Sequence, residues 1–242
     1  VVLMVKAYST EWAARHVLAA ATDETVWATL QNGLGNIESI RRVVPSAVLV
    51  AGVTTTGANL AADGSVNIAA VGGTIVGPIE TASLADAQRL SVTWQQAGLA
   101  CEVVPDPWPT IWRKLVVNAA INPIAGLAGR PNGDVVEVDH LWRLAAAVAR
   151  EVASVARAEA VDLGAGFDPV EAVAEVCRLT ATNRCSLLQD LVAGRRTEID
   201  YINGEVAKRA SPEASAPLCE ALTTLVEAAE AQHSSSADPE GN

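Results

Sequence analysis

Cys101-Glu102-Val103-Val104-Pro105-Asp106-Pro107-Trp108-Pro109 divides the chain into two kinds of sequence. Cys101–Val104 reads as a last short strand, and the prolines behind it lack the backbone N–H groups that a continuing ladder would use. Upstream, strand and helix signals alternate, as in an α/β sheet. Val1–Ala7 is an apolar run broken only by Lys6, the pattern of a parallel strand buried on both faces. Thr10–Ala21 is helical, and Thr25–Leu30 is a strand running into Gln31-Asn32-Gly33-Leu34-Gly35. Asn36–Val43 is helical and Ala47–Thr55 a strand. Ser65–Ala70 and Gly73–Gly77 read as a hairpin turning near Gly72-Gly73, and Ala82–Ala97 as a helix. Downstream the signals are almost all helical, over 110–121, 123–129, 140–163, 168–181, 183–193, 199–209 and 215–232. Asn122-Pro123 reads as an N-cap followed by an N1 proline, so the first of these helices is expected to stop and restart there. The organisation that follows is α/β for residues 1–107, all-helical for 108–234, and a disordered tail over 235–242.

The bulk properties exclude several classes. Of the 242 residues 50% are hydrophobic, and mean hydropathy is +0.24, enough for a proper core. No charge-free apolar run reaches the ~18–20 residues of a membrane span, and the opening VVLMV is too short for a secretory signal. The formal charge of −11 argues against nucleic acid or an anionic membrane as partner. Cys101, Cys177, Cys185 and Cys219 form no C-x-x-C pair, which suits a reduced, cytoplasmic chain better than a disulfide framework or a zinc site. His16, His140 and His233 show no metal-ligand spacing.

Within Ile111–Pro123, Lys114, Asn118 and Asn122 follow one another at intervals of four. On a helix they form one row, and every residue between Lys114 and Asn122 except Asn118 is apolar. An ammonium and two amides on a greasy helix suit a polar ligand, because a buried amide without a partner costs about 1–3 kcal/mol. On spacing alone, a solvated stripe explains them equally well.

No G-x-G-x-x-G occurs; Gly33-Leu34-Gly35 is the nearest approach and lacks the third glycine. Yet several segments, in order, resemble the ketopantoate reductase (2-dehydropantoate 2-reductase) family. They are Val5-Lys6-Ala7, Leu30-Gln31-Asn32-Gly33, the threonine-rich Gly52–Ala58, Trp112-x-Lys114-x3-Asn118-x3-Asn122-Pro123 and Pro131-Asn132-Gly133. Asn183-x-x-Ser186-x-x-Gln189-Asp190 and Arg196–Gly204, with Thr197-Glu198-Ile199-Asp200-Tyr201-Ile202-Asn203-Gly204, complete the set. The resemblance implies a Rossmann-like NADP-binding domain, an all-α substrate-binding and dimer-forming domain, and reduction of 2-dehydropantoate to pantoate by NADPH in pantothenate and coenzyme A synthesis. It implies that Lys114 is the proton donor and that Asn32, Asn118, Asn122, Asn132 and Ser186 bind substrate. Lys6, Asn32, Ala58 and Glu198 are implied to meet the cofactor. Against the family pattern, the first βαβ unit with its glycine fingerprint is missing from these residues, so the chain reads as N-terminally incomplete and is expected to bind NADPH weakly. Cys185-Ser186-Leu187 also replaces the more usual Ser-Ser-Met or Pro-Ser-Met.

Plainer readings stand beside these. Lys6 can snorkel from a strand end, Asn32-Gly33 can be an ordinary turn, and Ser186 a surface hydroxyl. Glu198 near Arg195 and Arg196 can be a solvated ion pair. Two functional rivals also stay open: a related NAD(P)-dependent reductase of another 2-oxo or β-hydroxy acid, and a non-catalytic helical assembly module.

Overall fold

The computed structural model describes residues 1–60, 63–80 and 82–236. It falls into two compact units, Val1–Ile111 and Trp112 onward.

The first unit is built on a five-stranded sheet in the order β1-β2-β3-β6-β7. Its strands are β1 (Val2–Leu3), β2 (Val26–Thr29), β3 (Val48–Thr54), β6 (Thr74–Ile79) and β7 (Cys101–Val103). β1, β2 and β3 run parallel, β6 is antiparallel to β3, and β7 is parallel to β6. Helices α1 (Thr10–Val17) and α2 (Asn36–Val43) pack on each other, and α3 (Leu84–Gln96) packs on β6 and β7. Ala28, Leu30, Val50, Val76, Ala87 and Cys101 form a buried core, with Leu90 and Trp94 of α3 against it. Ser83 and Asp86 close a capping box at the start of α3, which fixes where that helix begins.

Two expectations for this unit need correction. β1 is only two residues long, and Val1, Val2, Met4 and Val5 are exposed instead of buried. The foreseen hairpin of Ser65–Ala70 with Gly73–Gly77 does not form. β5 (Val66–Ala70) pairs antiparallel with β4 (Gly57–Leu60) as a separate ribbon, while β6 pairs with β3. Side-chain pattern decides between the two. β6 has Thr74, Val76 and Ile79 buried and enters the sheet, whereas Val66 and Ile68 of β5 are exposed.

The second unit is helical. Helix α4 (Trp108–Ala128) begins in the first unit and continues through the second, followed by α5 (Asn132–Glu137), α6 (Asp139–Ala158) and α7 (Pro169–Leu179). Then come α8 (Ser186–Val192), α9 (Asn203–Lys208) and α10 (Pro217–Ser236). α6 contacts α5, α7 and α10 through a face of Ala145, Val148, Ala149, Val152, Ala153 and Ala156, whose small side chains admit close packing. Glu151 on that helix accepts hydrogen bonds from Leu218 N (3.1 Å) and Cys219 N (2.7 Å), so the first turn of α10 is capped by another helix. The last helix extends past residue 235 to Ser236, and the rest of the foreseen tail lies outside the described residues.

α4 also departs from expectation. It neither stops nor restarts at Asn122-Pro123: Pro123 lies inside one helix, so Asn122 is a helix-interior residue and not a cap.

Candidate functional site

In the helical unit, Lys114, Asn118 and Asn122 stand in one row of α4. Lys114 is half-buried, and burial lowers its pKa to about 8, against a partial upward pull from the charge of Glu198. Glu198 is itself 8% exposed. The neighbouring arginines are engaged elsewhere, Arg195 with Asp190 (2.9 Å) and Arg196 with Asp200 (2.9 Å). The solvated-pair reading of Glu198 therefore gives way to a buried carboxylate acting on a half-buried lysine. Asn118 is half-buried and Asn122 buried, and neither side chain has a hydrogen-bond partner among the described residues.

Asn132 opens α5, a helix that the sequence reading missed. Its Nδ2 donates to Thr180 Oγ1 (2.9 Å) and its backbone N–H to the Asn183 carbonyl (2.9 Å). Gly133 makes this possible. A Cβ there would lie 2.9 Å from the Cβ of Ala181, so only glycine lets α5 approach this loop. The Oδ1 of Asn132 is left buried with no partner, an acceptor awaiting a donor. The same loop leads to Ser186, whose hydroxyl is exposed at the first turn of α8. Cys185 accepts from Leu188 N (3.4 Å) as the α8 N-cap and donates to the Asn122 carbonyl (3.5 Å). The unusual cysteine thus ties the Ser186 turn to the Asn122 turn.

In the first unit, Lys6 lies just beyond β1 at the start of a 3-10 turn, and Asn32 lies in the loop after β2. A polar network joins these two segments. Gln31 Nε2 donates to the Val5 carbonyl (2.7 Å) and to Thr10 Oγ1 (2.8 Å). Thr10, fully buried, donates to Asn36 Oδ1 (3.1 Å), and Asn36 Nδ2 donates to the Asn32 carbonyl (3.1 Å). Gly33 and Gly35 hold φ of +78° and +83°, which lets the loop turn sharply into α2. Gln31, Gly33, Gly35, Ala51, Gly52 and Trp108 line a shallow hollow at the carboxyl ends of β2 and β3, where open parallel sheets bind ligands. Ala58 sits apart from these, exposed on the β4–β5 ribbon beside its register shift.

The first unit therefore offers uncharged polar groups and one lysine at the strand ends, suited to the nicotinamide and ribose end of a dinucleotide. No G-x-G-x-x-G string occurs in residues 1–242. The helical unit offers a lysine with a pKa of about 8, two amides without a hydrogen-bond partner among the described residues, an orphaned acceptor and a hydroxyl. That set can bind a small hydroxylated carboxylic acid and deliver one proton. Among the described residues no cluster suits a metal ion, and no helix is long and apolar enough to cross a membrane.

Comparison with known proteins places these groups in context. The family described as "Ketopantoate reductase PanE/ApbA" matches residues 1–81, and "Ketopantoate reductase PanE/ApbA C terminal" matches residues 106–230. A 2-dehydropantoate 2-reductase of Archaeoglobus fulgidus is 42% identical over 205 residues, which is 85% of this chain and 67% of that protein. One of Halobacterium salinarum is 34% identical, over 95% of this chain and 75% of that protein. Among solved structures, a PanE/ApbA family ketopantoate reductase from Ralstonia eutropha superposes with a TM-score of 0.85 at 26% identity, covering 96% of this chain and 76% of that one. D-mandelate dehydrogenase, in a ternary complex with NADH and anilino(oxo)acetate, superposes at 0.88 with 26% identity and the same coverage.

Proposed function

The chain belongs to the ketopantoate reductase family, and on that premise we propose that it reduces 2-dehydropantoate to pantoate, with NADPH as the reductant, in pantothenate and coenzyme A synthesis. The observation that carries the reading is Lys114, a lysine whose pKa falls to about 8 through burial, in one row with two amides that have no other partner among the described residues.

When bound, the nicotinamide cofactor supplies a hydride to the ketone carbon. Lys114 holds a proton at Nζ and passes it to the ketone oxygen as charge develops there, which a pKa near working pH favours. Glu198 keeps enough ammonium character on Lys114 for this task. Asn118, Asn122 and Ser186 bind the substrate's carboxylate and hydroxyl without adding charge. Asn132 Oδ1, buried and unpaired, accepts from a substrate hydroxyl. Lys6, Asn32 and Ala58 are assigned to the cofactor, with Asn32 also reaching substrate and Glu198 meeting the ribose or carboxamide. The helical unit is assigned the dimer-forming role that the family resemblance implies.

The likeness to D-mandelate dehydrogenase favours one second reading, a reductase of a different 2-oxo acid. Turnover of 2-dehydropantoate and of the 2-oxo acid of mandelate, each with saturating NADPH or NADH, tests both. Preference for 2-dehydropantoate is the expected result, and turnover of the aromatic acid alone favours the second reading.

A further inference from the structure

Pro123 lies inside α4 and has no N–H to donate to the carbonyl four residues earlier, that of Ala119. A buried helical carbonyl without a donor is costly. Ala119 is fully buried, and the missing donor comes from more than eighty residues away: Asn203 Nδ2 lies 3.1 Å from the Ala119 oxygen. Asn203 is 0% exposed and opens α9. Its Oδ1 is buried without a partner, so the amide leaves its own acceptor unsatisfied to serve this carbonyl. Turning the amide over would set oxygen against oxygen, and the carbonyl thereby fixes its orientation.

The location carries the consequence. Ala119 stands between Asn118 and Asn122, so the bond secures the turn that bears both amides. Five residues before Asn203 stands Glu198, and five residues before Ala119 stands Lys114, the group on which Glu198 acts. One short segment therefore holds α4 twice, by charge at Lys114 and by hydrogen bond at Ala119. We propose that Asn203 is a positioning residue for the Lys114–Asn118–Asn122 row, replacing the helical hydrogen bond that Pro123 removes. In its catalytic consequence this rests on the reductase reading above; in its structural content it does not.

The test is a double-mutant cycle of Asn203→Ala and Pro123→Ala, since alanine at 123 restores an N–H for Ala119. Three measurements are made on each variant: melting temperature, the Lys114 titration followed by NMR, and kcat and KM for 2-dehydropantoate. Asn203→Ala alone is expected to lower kcat/KM on the order of tenfold to a hundredfold, the range for a displaced site. It should also raise the Lys114 pKa from about 8 toward 10.5, because burial is the larger influence and a loosened helix admits water. In the Pro123→Ala background, Asn203→Ala is expected to change kcat/KM by no more than about twofold and to leave the Lys114 titration in place. If Asn203→Ala folds only when Pro123→Ala is present, the compensation is demonstrated directly. Equal damage in both backgrounds, or failure to fold in both, overturns the proposal and makes Asn203 a general packing residue. If the unsubstituted chain turns over no 2-oxo acid, the reductase reading falls, and the Lys114 titration and the stability cycle still decide the role of Asn203.

Discussion

Lys114 gives the molecule two opposite dependences on pH. Its pKa of about 8 lies below the ordinary 10.5, so between those values the unfolded chain holds a proton that the folded chain has released. Stability contributed by this group therefore rises with pH through that window, and below about 8 the folded state carries a buried ammonium. Lys114→Met is expected to raise the melting temperature near pH 7, with the gain shrinking by about pH 10. Scanning calorimetry at both values checks this; a loss at neutral pH would show that the ammonium is well solvated. Activity runs the other way. With Lys114 as the proposed proton donor, the donor is expected to be available below about 8 and lost above it, and Lys114→Ala should lower kcat by about 10²–10⁴ while the fold stands. Glu198→Gln removes the charge that pulls the lysine upward, so the alkaline limb of kcat against pH should move to lower pH. The row of Lys114, Asn118 and Asn122 was legible from spacing. The burial of Glu198 was not, because Arg195 and Arg196 beside it in sequence turn instead to Asp190 and Asp200.

Among the elements, those with local signals were legible and those closed by distant partners were not. Asn36–Val43 is the helix its pattern implies, launched by a glycine in the left-handed region. Asn122-Pro123 carries the local signature of a helix start, yet the helix passes through it, and Asn203, far away in sequence, donates to the carbonyl that Pro123 leaves without a helical donor. No window around Pro123 contains that information. α5 escaped notice because Pro131-Asn132-Gly133 resembles a turn; the loop at 181–183 makes it a helix start. Gly133→Ala should therefore cost about 1–3 kcal/mol through overpacking against Ala181, and raise the KM for substrate by displacing Asn132. Denaturant unfolding and steady-state kinetics measure the two effects separately. The start of α10 depends on Glu151, so Glu151→Ala should destabilise by about 1.5–3 kcal/mol, the range for hydrogen bonds to a charged acceptor. An unchanged midpoint would mean that solvent replaces the carboxylate freely. Since Asn122 is no cap, Asn122→Ala and Asn118→Ala should raise KM with little change in midpoint.

At the scale of the whole molecule, the sheet-and-helix division was readable from the prolines at 105–109, whereas the β4–β5 ribbon was not, since periodicity does not say which strand a run will pair with. The cysteines open another route into the molecule. All four are free and buried, Cys101 in the sheet unit and Cys177, Cys185 and Cys219 in the helical one. Each reacts with a thiol reagent only when its surroundings breathe, so the four labelling rates act as separate clocks for the two units. Cys185, bonded to the Asn122 carbonyl, times how often α8 lifts from α4. A ligand that spans those helices should slow this clock while leaving Cys101 to keep its own time.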